Sequence, residues 1–239
     1  TLRTGKPEAK IAALWALANS NWLDEARLAA ALKDSDPAVA RNALRVLGQY
    51  ATRYTSSASL RATARDLIAH KDARVRLEAL NALAAQDVDA ATAAVLVGAY
   101  ASLDDNWSKA AFMVIAGRAP ELFLDAAFNS GNLGALTPLV TALTDRLGAG
   151  SPDGAAKLVI DLASRPTSAD ALKVSMLNAL AAASKGNPPA SAPLSAALKT
   201  LLTSANPRVA AAALPLAVRW DANALANEVK SVGASLVAK

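Results

Sequence analysis

Apolar residues recur every three or four positions through most of the chain. Leu44 and Leu47 show this spacing early in the sequence, and Leu77, Leu80 and Leu83 repeat it further on. Such a period places apolar side chains along one face of a helix, whereas a strand would alternate at every second residue. The pattern therefore predicts an all-α chain built from amphipathic helices.

The ends of these helices are marked by proline and by capping residues. Six prolines lie where a helix is predicted to begin, a position at which the missing N–H has no intrahelical acceptor. Asp36, Ser151 and Asn206 precede three of them and can accept the free N–H groups of the first turn. The predicted helices cover about 7–18, 24–33, 37–51, 58–70, 73–86, 88–102, 105–118, 120–129, 134–148, 152–164, 168–184, 191–204, 207–220 and 223–237.

The helices also repeat along the chain. The stretch DARVRLEALNALAA at 72–85 shares LNALAA with DALKVSMLNALAAA at 170–183. Val39 and Val75 hold equivalent places in successive units, and Trp107 aligns with them in the next one. Intervals of about 32–40 residues are typical of repeats built from two helices. Because the connections are short, we expect neighbouring helices to be antiparallel.

DPAVARNALRVLG at 36–48 and DARVRLEALNALAA at 72–85 resemble the second helix of HEAT repeats, whose typical pattern is Asp-Pro-x-Val-Arg-x-x-Ala. The resemblance covers most of the chain; it is strongest over 34–86 and weakest over 120–165. It implies a right-handed α-solenoid of about seven HEAT-like helix pairs, forming a single domain over 1–239.

Two further stretches narrow this resemblance. KPEAKIAALWALAN at 6–19 and DDNWSKAAFMVIAGRAPELF at 104–123 look like the HEAT region of large exported bacterial proteins. In those proteins a sugar-dehydrogenase-like β-propeller precedes the repeats and a c-type cytochrome domain follows them. The resemblance implies that this chain is a fragment of a multidomain periplasmic protein. The helix at 7–18 fits this expectation, because it looks like the second helix of a repeat whose first helix is missing.

Composition argues against chemistry within the chain itself. The absence of cysteine excludes disulfides, thiolate metal sites and covalent c-type haem attachment within these residues. His70, the single histidine, cannot form a metal site or a triad alone, and its position favours a capping role. No apolar run reaches the length of about 18 residues that a membrane span needs. We expect no enzymatic activity, no cofactor, no metal and no membrane span.

Positive charge is concentrated early in the chain. The net charge is +5, and residues 1–86 hold 13 Lys/Arg against 8 Asp/Glu, so the whole excess lies there. Arg41 and Arg45 share a helix face, and Arg74 and Arg76 begin the next second helix. We predict these four arginines as partner-binding residues on the inner helices of the solenoid. The alternative is structural: a solvated face, with bonds between repeats made by Arg41 and Arg76.

Three possible functions remain. The first is a non-catalytic scaffold, a monomer that binds a protein or a neighbouring domain of its parent chain, with Trp15 and Trp107 filling gaps between repeats. The second is a nucleic-acid-binding protein similar to HEAT-like alkylpurine DNA glycosylases, with Trp107 beside the carboxylates of Asp104 or Asp105. We expect weak nucleic-acid binding because the excess positive charge ends near residue 86. A protein similar to bilin lyases is a third option by fold analogy alone.

Overall fold

A computed structural model describes residues 4–54, 57–130 and 133–237. Within these ranges the regular elements are helices, and no strand is present. The predicted all-α class is confirmed. The α-helices are α1 (Pro7–Asn19), α2 (Glu25–Leu32), α3 (Pro37–Gln49), α4 (Ala51–Tyr54), α5 (Ala58–Asp66), α6 (Ala73–Ala84), α7 (Ala90–Ala99), α8 (Asn106–Ala116), α9 (Pro120–Phe128), α10 (Thr137–Gly150), α11 (Pro152–Ser164), α12 (Asp170–Ala183), α13 (Ala192–Leu202), α14 (Pro207–Asp221) and α15 (Ala226–Val237).

The capping residues explain where many of these helices begin. The carboxylates of Asp36, Asp72 and Asp105 accept backbone N–H groups from the first turns of α3, α6 and α8. Ser151 and Asn206 cap α11 and α14 in the same way. Each cap satisfies an N–H group that has no partner within the helix. The predicted starts of α3, α6, α11 and α14 are confirmed, and α8 begins one residue later than predicted.

Helix ends agree less closely with the prediction. The helix expected over 58–70 is α-helical only as α5 and then tightens into a 3₁₀ turn, Leu67–Ala69. The helix expected over 88–102 starts at Ala90, where Asp89 caps it, and also ends in a 3₁₀ turn. Such turns use i→i+3 bonds to satisfy carbonyls that an α-helix end leaves free.

The chain divides into two compact units, Thr1–Phe123 and Leu124–Lys239. In unit 1, α1, α3, α6 and α8 pack side by side in that order, and we call this row the second-helix layer. The first-helix layer consists of α2, α5 and α7. α2 packs on α3 and α5 packs on α6, so each of these pairs forms one repeat.

Unit 2 shows the same arrangement. One row contains α10, α12 and α14, and the other contains α11, α13 and α15. Stacked helix pairs of this kind define an α-solenoid, in which each pair buries its apolar face against the next. The predicted fold class is confirmed. The right-handedness and the single domain over 1–239 stay predictions.

The register of the repeats corrects one expectation. Val39 and Val75 are the third residues of α3 and α6, and both are fully buried. Trp107 was aligned with them, but α8 begins at Asn106, so the third residue is Ser108 and the tryptophan is second. One residue corresponds to a rotation of about 100° on a helix, which brings Ser108 into the core and Trp107 to the surface. The expectation that Trp107 fills a gap between repeats is wrong.

Candidate partner-binding surface

The second-helix layer of unit 1 exposes one side of each helix. The opposite side of each of these helices carries the buried residues, which fill the interior of the unit. The exposed side is therefore a continuous surface made from adjacent helices, and its character depends on the residues there. The exposed residues include Arg45 and Gln49 on α3, Arg74 and Asn81 on α6, Ala85 at the C-terminal end of α6, and Trp107, Ala110 and Val114 on α8.

Large apolar side chains are exposed on α8. Trp107 is 77% exposed and Val114 is 60% exposed. They are seven residues apart, which places them on the same helix face, with the small residue Ala110 between them. Among the described helices of unit 1, α8 is the one that exposes two large apolar residues. Clustered apolar exposure of this kind is typical of a surface that another molecule covers.

A pocket of about 290 Å³ opens beside α1, α3 and α6. Trp15 forms one wall, and its indole Nε1 donates a hydrogen bond of 3.0 Å to Oδ1 of Asn42, which holds the ring in place. A Cβ atom at Gly48 would lie 3.3 Å from Cα of Ala82. The glycine therefore lets α3 and α6 approach closely. Arg45 and other polar residues also line the pocket.

Two of the four predicted arginines project from this surface. Arg45 donates from Nε to Oε1 of Glu78 at 2.7 Å, and its Nη2 lies 2.7 Å from the same oxygen. The Arg45 side chain is 48% exposed, against 14% for Glu78. Arg74 is 73% exposed and pairs with Asp72, which is 20% exposed. In both pairs the guanidinium lies further into solvent than the carboxylate, so the surface presents positive charge.

The other two predicted arginines differ from each other. Nη1 of Arg76 donates to the backbone carbonyls of His70 and Lys71, at 3.1 and 3.3 Å, and Nη2 lies 3.6 Å from Asp104. Asp104 precedes the next second helix, so Arg76 links two repeats as the structural alternative predicts. Nε of Arg41 is buried without a hydrogen-bond partner among the described residues.

The polar residues at the start of α6 and α8 have structural roles. Nδ1 of His70 accepts a hydrogen bond of 3.0 Å from the backbone N–H of Asp72. The hydrogen bond from Arg74 lowers the pKa of Asp72. The backbone N–H of Ser108 donates to Asp105 at 2.8 Å and lowers the pKa of that carboxyl. A general acid at neutral pH needs a raised pKa, so the direction at Asp105 is opposite to that requirement.

Other kinds of site receive no support from the described residues. They contain no group of three or more His, Asp or Glu side chains placed to hold a metal ion. In the same ranges, none of the helices has the length and apolar content needed to cross a membrane.

A second pocket, of about 270 Å³, lies beside α13 and α15 in unit 2. Glu228 lines it and forms an ion pair with Lys199, with Nζ 2.9 Å from Oε1. This pairing lowers the pKa of Glu228 and raises that of Lys199. The pocket lining contains no aromatic residue and no arginine, in contrast to the pocket beside Trp15.

Sequence reasoning missed several residues of the surface in unit 1. Val114 was not selected, although its spacing of seven from Trp107 places both on one helix face. Glu78 and Asn81 were also missed, because pairing across helices leaves no local pattern. Gly48 did provide a signal, since a glycine inside a helical pattern often marks a close approach of two backbones.

These features define the class of the protein as an α-solenoid with an exposed second-helix layer. Residues 25–116, which begin with α2 and end with α8, match a family model described as HEAT repeats. The matched segment lies within unit 1 and covers the region where the sequence resemblance is strongest.

Solved structures of two engineered proteins are also similar. The first is 19% identical, covers 97% of this chain and 94% of its own, and has a TM-score of 0.46. The second is 17% identical, covers 97% of this chain and 70% of its own, and has a TM-score of 0.44. No curated protein matches the chain.

Proposed function

We propose that this chain is a non-catalytic scaffold that binds a protein partner through the second-helix layer of unit 1. The observation that carries the proposal is the exposed apolar face of α8, formed by Trp107 and Val114. The match to HEAT repeats supports it, because solenoids bind partners through extended surfaces made by successive repeats.

The predicted arginines enter this proposal unequally. Arg45 and Arg74 project into solvent and are proposed to contact the partner directly. Arg76 already binds two carbonyls and lies close to Asp104, so its proposed contribution to the partner is smaller. Arg41 stays in the proposed set on its place in the sequence alone, because its Nε is buried and makes no hydrogen bond among the described residues.

An unbiased peptide library tests the proposal. Peptides selected on the unmodified protein are measured against the variant W107S/V114S, which removes both large apolar side chains from the surface. We expect about tenfold weaker binding, because exposed apolar anchors commonly carry much of the energy of an interface. The control is Val95→Ser, which alters an exposed valine of α7 in the first-helix layer.

The outcome is decided by comparing these two variants, with circular dichroism confirming that both are folded. Selected peptides that bind W107S/V114S as well as the unmodified protein would contradict the proposal. An equal loss of peptide affinity in Val95→Ser would also contradict the proposal, because the peptides would then not prefer the second-helix layer.

Nucleic acid is the competing ligand, and a short DNA duplex tests it. The scaffold proposal predicts weak binding at 50 mM salt and no steep loss on raising the salt to 200 mM. Phosphate recognition would instead give strong binding that falls by orders of magnitude over this range. Strong, steeply salt-dependent binding that Arg45→Ala weakens would favour the nucleic-acid alternative.

We further propose that the partner is a neighbouring domain of an exported, periplasmic parent protein. The support is the resemblance of 6–19 and 104–123 to the HEAT region of proteins that also contain a β-propeller and a c-type cytochrome domain. The rest of the reading frame tests this. A propeller upstream or a Cys-x-x-Cys-His motif downstream is the expected result, and unrelated flanking domains would contradict it.

A further inference from the structure

We propose that the pocket beside Trp15 binds an acidic linear peptide, with an apolar side chain of the peptide in the pocket and a carboxylate of the peptide on Arg45. This inference rests on the proposed function and specifies the chemistry of the partner at one point of the second-helix layer.

The size and walls of the pocket favour one apolar side chain. Its volume of about 290 Å³ lies at the lower limit of small-molecule sites, which range from about 300 to 1,000 Å³. The half-buried indole of Trp15 and the exposed side chain of Ala85 supply apolar surface, and the buried Leu44 and Ala82 complete the apolar lining. The close approach at Gly48 leaves this part of the pocket without a larger side chain.

Polar groups along the rim suit a peptide backbone. Gln49 and Asn81 are exposed, line the pocket and belong to the adjacent helices α3 and α6. A primary amide carries two N–H donors and a carbonyl acceptor, so it can bond to both kinds of group in an extended peptide. Main-chain bonds of this kind supply affinity, and the side-chain pocket supplies specificity.

The charge at the rim selects an acidic peptide. Glu78 is largely covered, whereas Arg45 is half exposed, so an approaching ligand meets the guanidinium before the carboxylate. Nε and Nη2 of Arg45 face one oxygen of Glu78. A guanidinium has five N–H donors in a planar fork, so others remain for a carboxylate of the partner. A lysine side chain of a cationic peptide could not make this contact with the guanidinium, because both groups only donate hydrogen bonds.

Short labelled peptides test this by fluorescence anisotropy. The probe has Glu-Leu-Glu-Leu-Glu at its centre, flanked by Gly and Ser. The comparison peptides replace every Glu by Gln, every Glu by Lys, or every Leu by Ser. We expect the probe to bind about tenfold more tightly than each of the three, because each replacement removes either the charge complement or the apolar anchor.

Two variants of the ion pair make the test specific. Arg45→Gln removes the proposed carboxylate ligand, and we expect about tenfold weaker binding of the probe. Glu78→Gln removes the competing carboxylate, and we expect tighter binding. Both variants break the same ion pair within the chain, so a purely structural effect would change affinity in one direction only.

Further variants test the pocket and control for charge. Ala85→Leu places a larger side chain in the pocket from an exposed position at the end of α6, which reduces the free volume, and we expect it to weaken binding of the probe. Arg27 pairs with Asp24 at the start of α2, and both side chains are 54% exposed. Arg27→Gln is the matched control, because it changes the net charge equally without altering this pocket.

Several outcomes would overturn the proposal. These are equal effects of Arg45→Gln and Arg27→Gln, changes of the same sign for Arg45→Gln and Glu78→Gln, or tightest binding by the lysine peptide. Tighter binding of duplex DNA, or self-association abolished by Arg45→Gln, would assign a different occupant. If the probe fails while library peptides still depend on Trp107 and Val114, this inference is wrong and the proposed scaffold function stands.

Discussion

The two units use the fourth residue of a second helix differently. In α1 and α6 of unit 1 this residue reaches an acid that precedes the next second helix: Lys10 lies 2.7 Å from Asp34, and Arg76 lies 3.6 Å from Asp104. In unit 2 the equivalent residue, Lys173 of α12, is buried and lies 3.1 Å from Asp170 in its own first turn. A cation at the fourth position of a second helix can therefore form an ion pair either with the next repeat or within its own helix.

Unit 2 makes its link between repeats through the same carboxylate. Asn206, which caps α14, donates from Nδ2 to Oδ2 of Asp170 at 3.1 Å. Asp170 therefore contacts a cation of its own helix and the cap of the next second helix. Since the cation is buried, the pair in unit 2 is more sensitive to the loss of one partner than the pairs in unit 1.

The comparison also changes the interpretation of charge. Residues 1–86 have a net charge of +5, but unit 1 as a whole holds 15 Lys/Arg and 13 Asp/Glu, a net of +2. Asp89 and Asp104 lie beyond residue 86, and they pair with Arg65 and Arg76. Part of the apparent basic excess is therefore balanced within the unit. The positive character of the surface comes from the geometry of individual pairs.

The largest expected effect is the loss of Asp170. Asp170→Ala leaves the ammonium of Lys173 buried without its counter-ion, so we expect a loss of about 3 kcal/mol in the free energy of unfolding. Lys173→Met should cost clearly less, because Asp170 retains its bond from Asn206 and its place at a helix N-terminus. Urea unfolding near pH 7 measures both. Equal costs would contradict the role assigned to Asp170.

The pair Lys10–Asp34 gives a smaller, pH-dependent effect. Burial alone would raise the pKa of Asp34, but hydrogen bonds from Lys10 and the Asp36 backbone outweigh it, so the pKa lies below the ordinary 3.8. The stabilisation is present above the unfolded-state pKa and is lost as pH falls through the folded-state value. Asp34→Asn should cost about 1–2 kcal/mol near pH 7 and much less near pH 2.

Unfolding of Asp34→Asn and of the unmodified protein at both pH values tests this prediction. Lys10→Met should reproduce the flatter pH dependence, because it removes the other half of the pair. A cost for Asp34→Asn that is the same at both pH values would show that the ion pair is not its cause.

The smallest expected effects on stability come from replacing Arg76 and Arg41. Arg76→Ala removes the bonds to His70 and Lys71 and the ion pair with Asp104, and we expect a cost of about 1 kcal/mol. Arg41 is one position later in its helix, and its Nε has no hydrogen-bond partner among the described residues. Arg41→Ala should therefore change stability by less than about 0.5 kcal/mol. Thermal unfolding of both variants tests the order, and the reverse order would contradict it.

Much of the fold follows from local signals. The apolar period predicts the helices, and caps such as Asp36 and Asp72 mark their starts, because both signals act within a few residues. The predicted alignment of Trp107 with Val39 and Val75 was wrong by one position. It used the spacing between repeats, whereas the cap at Asp105 shows that Ser108 is the third residue of α8. A shift that is small in sequence changes a core residue into a surface residue.

The surface was less predictable than the fold. Arg45 and Arg74 were predicted from the sequence as partner-binding residues, but their exposure relative to Glu78 and Asp72 depends on packing that the sequence does not show. The pocket beside Trp15 depends on the approach of α3 to α6, which is a property of packing between repeats. Such features arise from residues distant in sequence, so local patterns do not contain them.

Mapping a selected peptide onto the protein by backbone amide NMR shifts tests the central claim most directly. If the second-helix layer of unit 1 is the partner-binding surface, saturating peptide should shift amides of α3, α6 and α8, with the largest changes around Arg45, Asn81 and Val114. Shifts confined to α2, α5 and α7, or to the helices of unit 2, would contradict that assignment.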